Sequence, residues 1–259
     1  MILKLGFIFI LFFSCNAINS QKCPAVNYHL DTIITEKNKP LLPFSYRQLI
    51  IPTAGIFYGI AGLKIPSLRL LNKEIREEVN EHIDDKFSVD DFMQYAPSVS
   101  AIGLELIGIK GKNSIKERSL VLLTSYILMI TVVTSLKNTT NVERPDKTGH
   151  KSFPSGHTAN AFVGAELLWQ EYREQSIWYG IAGYAIACGT GAFRVINNRH
   201  WLTDVSMGAG IGILSTKLAY WMYPSLNKVL FHCKPGSNTL RLEPLINTNQ
   251  YGLCLHMGF

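Results

Sequence analysis

Three short clusters in this chain hold the residue types that handle an anion. The first is Lys137, six intervening residues, then Arg144 and Pro145. The second is Pro154-Ser155-Gly156-His157. The third is Arg194, five residues, His200, three residues, and Asp204. Taken singly, each has a structural reading. Lys137 can close a helix, where a cation complements the dipole. Pro-Ser-Gly can be a turn, and His200 and Asp204 at i and i+4 can be a helix-surface pair. Taken together, they put three cations and two histidines at coordinated helix boundaries. Such a group repels itself without an anion. A phosphate turns it into a binding site.

Phosphate chemistry gives each residue a task. A phosphoryl group in transfer spreads its charge over three equatorial oxygens. Arg144 and Arg194 are expected to hold two of them by planar forks, with Lys137 as a point charge. The backbone N–H groups of Ser155 and Gly156, at a helix start, are expected to donate to the same oxygens. In-line transfer needs a nucleophile on one side and an acid on the other. His200 is the expected nucleophile, because Asp204 can orient its other ring nitrogen and stabilise the imidazolium. His157 is then the general acid on the leaving oxygen. Two histidines can do this without a metal. No Cys or His grouping has ligand spacing, so neither a metal nor another cofactor is expected.

These residues need helices to hold them. Apolar helical runs lie near 48–63, 95–109, 119–136, 156–170, 177–193 and 203–223. Lys137 closes the third, His157 opens the fourth, Arg194 closes the fifth and His200 opens the sixth. In an up-down bundle all four boundaries share one face. The expected fold is all-α, a helical bundle of about six core helices with the active site at one end. Between the first two runs, Lys64 to Gln94 is rich in Glu and Asp. Its Asn72–Ile83 stretch has helical spacing and reads as a solvated surface helix. Near the C-terminus the period changes. Tyr251, Leu253, Leu255, Met257 and Phe259 alternate with Gly252, Cys254, His256 and Gly258, which is strand periodicity. Residues 239–246 are expected to pair with them as a β-hairpin.

Composition bounds the rest. The 259 residues are 47% hydrophobic and 17% charged, with a mean hydropathy of +0.12. The charged share is below the roughly 25% of ordinary soluble domains. A disordered tail, a collagen-like chain and a highly charged nucleic-acid arm are excluded. Net charge is +6. No Lys/Arg stripe with interleaved aromatics is present, so nucleic acid is not an expected partner. Residues 1–20 read as a secretory signal: Lys4, an apolar Leu5–Phe13 segment, and cleavage after Ala17 or Ser20. A lipoprotein signal with Cys15 as acceptor is the lesser alternative, since Phe12 is unlike the usual Leu. Residues 21–47 form an irregular lead-in, 48–234 the bundle and 235–259 the tail. Export implies an oxidising compartment. Cys188, in an apolar helical run, reads as a core thiol. Cys23, Cys233 and Cys254 allow at most one disulfide among them.

The three clusters resemble the signature of the type 2 phosphatidic acid phosphatase and vanadium haloperoxidase superfamily. That pattern is KxxxxxxRP, then PSGH, then SRxxxxxHxxxD. Order and internal spacings match over 137–204. One departure stands out: Phe193 occupies the place of the Ser whose hydroxyl serves the phosphate site. Rate or substrate range is what that change bears on. The resemblance implies a helical bundle and a phosphohistidine intermediate on His200. It implies metal-independent hydrolysis of a phosphate monoester or pyrophosphate, with a phosphorylated lipid as partner. Ser152 to Tyr223 is similar to exported envelope members from bacteria, which implies a periplasmic, membrane-associated protein. A glycan on the Asn138-Thr139-Thr140 sequon would obstruct the site, which argues against a eukaryotic secretory origin.

Alternatives stay open at this level. They are a soluble nonspecific acid phosphatase, a vanadate-dependent haloperoxidase, and a non-enzymatic anion-binding or transport protein of the envelope. Lys147, His150 and Lys151 either add potential at the mouth or are solvated. Trp201 contacts substrate or packs in the bundle. Trp169, Trp178 and Trp221 are interfacial anchors or core residues. A membrane-spanning helix wants about 20 apolar residues. Residues 119–136 are uncharged for 18 residues and 177–193 for 17, while Glu105, Asp204 and Lys217 interrupt three other runs. The expected arrangement is an exported bundle that does not fully span the membrane.

Overall fold

The computed structural model describes residues 41–82, 88–231, 239–247 and 250–258. The expected signal segment, Cys15, Cys23 and Cys233 lie outside the described residues. Eight helices follow in order. They are α1 Ile50–Lys64, α2 Pro66–His82, α3 Asp90–Met93, α4 Ala96–Gly103, α5 Ile115–Thr140, α6 Gly156–Tyr172, α7 Ile177–Ile196 and α8 Leu202–Phe231. Single 3-10 turns occupy Tyr46–Leu49 and Leu104–Ile107. The six apolar runs are the bodies of α1, α4 with its 3-10 extension, α5, α6, α7 and α8.

Local chemistry sets where the helices begin. Ser114 and Glu117 form a reciprocal capping box at the start of α5. Ser155 and Ser176 cap α6 and α7, each accepting from a first-turn N–H. Asn141 ends α5 in the left-handed region at φ 47°, a conformation Asn tolerates.

Helix α6 is the central element. It packs against α4, α5, α7 and α8, and nearly every residue along it is buried. Its neighbour α8 also carries α1 and α5 on its other sides. Small residues permit the closest approaches. A Cβ at Gly208 would meet the Ser155 carbonyl at 2.4 Å, and one at Gly212 would meet the Ala159 carbonyl at 2.5 Å. Helix α8 therefore lies directly on the first turns of α6, which is what brings Asp204 to Ser155.

Two buried polar groups cross this core. Glu166 accepts from Lys217 at 2.5 Å, from Gln170 at 2.7 Å, and from Tyr184. At the end of the bundle away from His157, Glu171 accepts from Tyr220 at 2.5 Å and from Asn113 at 2.8 and 2.9 Å. Arg118 is fully buried beside it. It bonds the Ala101 carbonyl and Tyr172 hydroxyl at 2.9 Å each and Glu105 at 2.9 Å. Buried charges of this kind persist because every one is paired.

Among the described residues one helix, Ile115–Thr140, is long and apolar enough to cross a membrane. The bent pair Tyr46–Lys64 and Pro66–Val79, angled at 95°, passes only when taken as one span. Helix α5 turns Leu123, Ile127 and Ile130 outward, and α1 exposes Ile50, Ile51 and Phe57.

One expectation needs correction. Cys188 is exposed rather than in the core. The buried stripe of α7 runs through Gly183, Ala187, Thr190, Gly191 and Arg194, and Cys188 falls beside it. An apolar run alone does not say which of its residues face inward. The helical body is all-α. Thr239–Asn247 (β1) and Gln250–Gly258 (β2) are antiparallel neighbours in backbone register.

Candidate active site

Two helix starts are joined at one end of the bundle. Ser155 caps α6, its buried hydroxyl 2.9 Å from the Thr158 hydroxyl. Asp204 sits in the first turn of α8, and its carbonyl accepts the Ser155 N–H at 3.0 Å. The Asp204 carboxylate is buried and occupied. Its Oδ2 accepts from the Ser152 hydroxyl at 2.5 Å and from the Trp201 N–H at 3.0 Å.

His200 stands against this carboxylate. Its Nδ1 is 3.7 Å from Asp204 Oδ2 and 3.5 Å from Ser152 Oγ. The ring is 3% exposed. Burial pushes its pKa down to about 4, against the pull of Asp204, and Lys137 and Arg194 push it further in the same direction. The imidazole is therefore neutral at neutral pH. With Nδ1 turned to Asp204, Nε2 is the nitrogen left for chemistry.

Arg194, in the last turn of α7, is tied to this histidine through the backbone: the His200 N–H donates to its carbonyl at 3.2 Å. Its guanidinium meets two carboxylates of α3. Nη1 is 2.5 Å from Asp90 Oδ2 and 3.6 Å from Asp91 Oδ1. Asn197 donates to the other Asp90 oxygen at 3.0 Å. The Arg194 Nε is buried with no partner. His157 Nε2 lies 2.9 Å from Asp91 Oδ1. Burial and then Arg194 hold His157 below its usual 6.5, opposed by Asp91 and Asp90. Arg144 and Arg194 share a cavity of about 160 Å³ with Asp90, Asp91, Asn197 and Arg199. Lys137, in the last turn of α5, donates to the Lys151 carbonyl at 2.9 Å. Lys151 in turn donates to Asn138, and Lys147 is exposed. Trp201 is half-buried, its indole N–H donating to the Glu143 carbonyl at 2.9 Å.

The expected residues thus converge, with two differences. The Ser155 N–H was expected to face an anion; here it is committed to the Asp204 carbonyl. The other expected donor of that helix start is Gly156. The second difference is the acidic pair. Asp90 lies in the acid-rich Lys64–Gln94 stretch, where no site residue was expected, yet it is 1% exposed and bonded to Arg194. Ser152 was likewise not singled out, although it holds Asp204. No spacing rule links these residues to the histidines, because their partners come from distant helices. Only the Ser in Ser152-Phe-Pro-Ser, just before the second cluster, offered a local hint.

The Asp90, Asp91 and His157 ligand atoms lie within 4.8 Å of one another. Arg194 pairs with both carboxylates, so a cation there would face a guanidinium at contact distance. The arrangement around it can hold an anion. It combines two arginines, a lysine, a helix N-terminus, a neutral buried histidine and a second histidine nearby.

An all-α bundle with these groups gathered at one end is the class that this geometry defines. Residues 118–228 match the family model described as "PAP2 superfamily". That segment contains all three clusters. The chain is also 40% identical over 151 residues to a lipid A 1-phosphatase of Porphyromonas gingivalis. That match covers 58% of this chain and 33% of the relative, so the chain spans about a third of that protein's length. Among solved structures, it is similar to a transmembrane PAP2 type phosphatidylglycerolphosphate phosphatase from Bacillus subtilis. The TM-score is 0.50 at 20% identity, over 73% of this chain and 100% of that one. This likeness concerns the fold. LpxE of Aquifex aeolicus aligns at 26% identity and a TM-score of 0.45, over 57% of this chain and 94% of that one.

Proposed function

We propose that this protein hydrolyses a phosphate monoester or pyrophosphate of a membrane lipid through a covalent intermediate on His200. One observation carries the reading: a neutral, buried His200 backed by Asp204 and Ser152, joined to Arg194 on the wall of an arginine-lined cavity. The 40% identity to a lipid A 1-phosphatase supports a lipid substrate.

The chemistry runs in two steps. His200 Nε2 attacks phosphorus, forming a P–N bond as the P–O bond to the leaving group breaks. His157 gives its proton to the leaving oxygen. Arg144, Arg194, Lys137 and the Gly156 N–H hold the phosphoryl oxygens as charge builds. Asp204 stabilises the imidazolium side of the intermediate. A water then attacks phosphorus, losing its proton to His157. The P–N bond breaks and phosphate leaves, restoring His200. No step requires a metal. Asp90 stays bonded to Arg194 and orients it. Asp91 is 57% exposed and is the carboxylate that an incoming phosphate displaces from His157.

The same reading extends to place. Helix α5 presents its outward apolar face to a membrane, the protein is exported to the envelope, and the tail beyond Pro235 takes no part in the chemistry. Phosphate release from a lipid phosphate in detergent micelles tests the activity, with chelator present. The wild-type protein is expected to turn over, and His200→Ala to lose at least about a thousandfold in rate. Equal release by the two proteins would sink the proposal.

A further inference from the structure

We propose that a second cavity, lined by Trp201 and Asp204, binds a second anionic group of the substrate headgroup. This rests on the phosphatase reading and adds the substrate class to it. The cavity has a volume of about 570 Å³. Its walls include Arg69, Asn72 and Lys73 of α2, Glu143, and Trp201, Thr203 and Asp204 at the start of α8.

Charge on α2 is segregated. Arg69, Lys73 and Arg76 recur at i, i+4 and i+7, on the face that also carries Asn72. Glu74, Glu77, Glu78 and Glu81 fall on a different face. The side with the cavity is therefore cationic, although the helix as a whole carries many acids.

Asn72 supplies an independent observation. It is 7% exposed and lines the cavity. One polar atom of its amide bonds Thr203 Oγ1 at 2.9 Å, and the other is buried with no partner. That holds whichever way the amide is turned. A buried polar atom without a partner costs free energy. A ligand hydroxyl, which both donates and accepts, satisfies it in either orientation.

The larger cavity meets the site at Asp204, which lines it with Trp201 and Glu143. Arg144, next in sequence to Glu143, lines the smaller, as does Arg199. The Trp201 indole is pinned to the Glu143 carbonyl at 2.9 Å. A headgroup held here puts the phosphate to be cleaved at Arg144 and Arg194. Its second anion then lies at Arg69 and Lys73, with an intervening hydroxyl at Asn72. The ligand class is a hydroxylated headgroup carrying two separated anions.

The test compares two substrates with identical acyl chains in detergent micelles. Phosphatidic acid has the terminal phosphate alone. Phosphatidylglycerolphosphate adds a phosphodiester and a hydroxyl. The wild-type protein is expected to favour the second in kcat/KM. In an Arg69→Gln/Lys73→Gln variant that ratio is expected to fall about tenfold, as charge-assisted contacts to the second anion are lost. Both residues are exposed, so the fold accommodates the change. An unchanged ratio, including a parallel fall on both substrates, overturns the subsite. Turnover of neither substrate by the wild-type protein overturns the phosphatase reading, and the subsite with it.

Discussion

His200 can attack phosphorus only while neutral, and His157 can protonate a leaving oxygen only while charged. Burial takes His200 down to about 4, and burial with Arg194 holds His157 below 6.5. The free enzyme is therefore competent while His200 has lost its proton and His157 still holds one, on the acid side of neutrality. kcat/KM, which reports the free enzyme, is expected to rise above about pH 4 and to fall again below pH 6.5 as His157 loses its proton. A profile that peaks above neutrality would contradict the assignment. Stability follows the same linkage. Between about pH 4 and 6.5 the unfolded chain binds the His200 proton and the folded one does not. His200 thus makes no demand on stability above pH 6.5, and stability drains away as pH falls towards 4. At this scale the sequence was most legible where spacing was local. His200 and Asp204 are four residues apart, and the structure puts them against each other. Asp90 is more than a hundred residues from Arg194, and its bond to that guanidinium depends on how α3 meets α7.

Helices carry this chemistry by their close contacts. Helix α8 lies so near α6 that a side chain at Gly208 has no room before the Ser155 carbonyl. Gly208→Val is expected to push α8 off α6, stretch the Ser155 to Asp204 bond, and lower both the melting temperature and kcat. Glu166 and Lys217 hold the same pair of helices further along. Lys217→Ala leaves a buried carboxylate unpaired, at a cost of about 3–5 kcal/mol. Lys217→Met with Glu166→Gln removes both charges and is expected to cost clearly less. Denaturant midpoints of the three proteins check the order, and equal loss in the single and double variants would contradict it. The apolar runs marked these helices to within a few residues, because period and capping residues are local. Which face of α7 turned inward was not legible, and Cys188 shows why: every residue around it is small or apolar.

At the scale of the whole molecule, large apolar side chains stand exposed among the described residues. Phe57, Leu123, Ile127 and Ile130 are all more than half exposed. Large exposed apolar patches mark partner or membrane surfaces, and helix α5 is the one described helix with the length and apolarity to cross a bilayer. The all-α architecture was readable from the apolar runs. The larger cavity was not, because it depends on the bend between α1 and α2. All of this serves one claim, that phosphate passes through His200. The direct measurement is a rapid quench of the protein with a lipid substrate labelled in its terminal phosphate, followed by peptide mapping. The account predicts an acid-labile, alkali-stable label on the peptide that contains His200, absent from His200→Ala. Label on another residue, or undiminished label in His200→Ala, would contradict it.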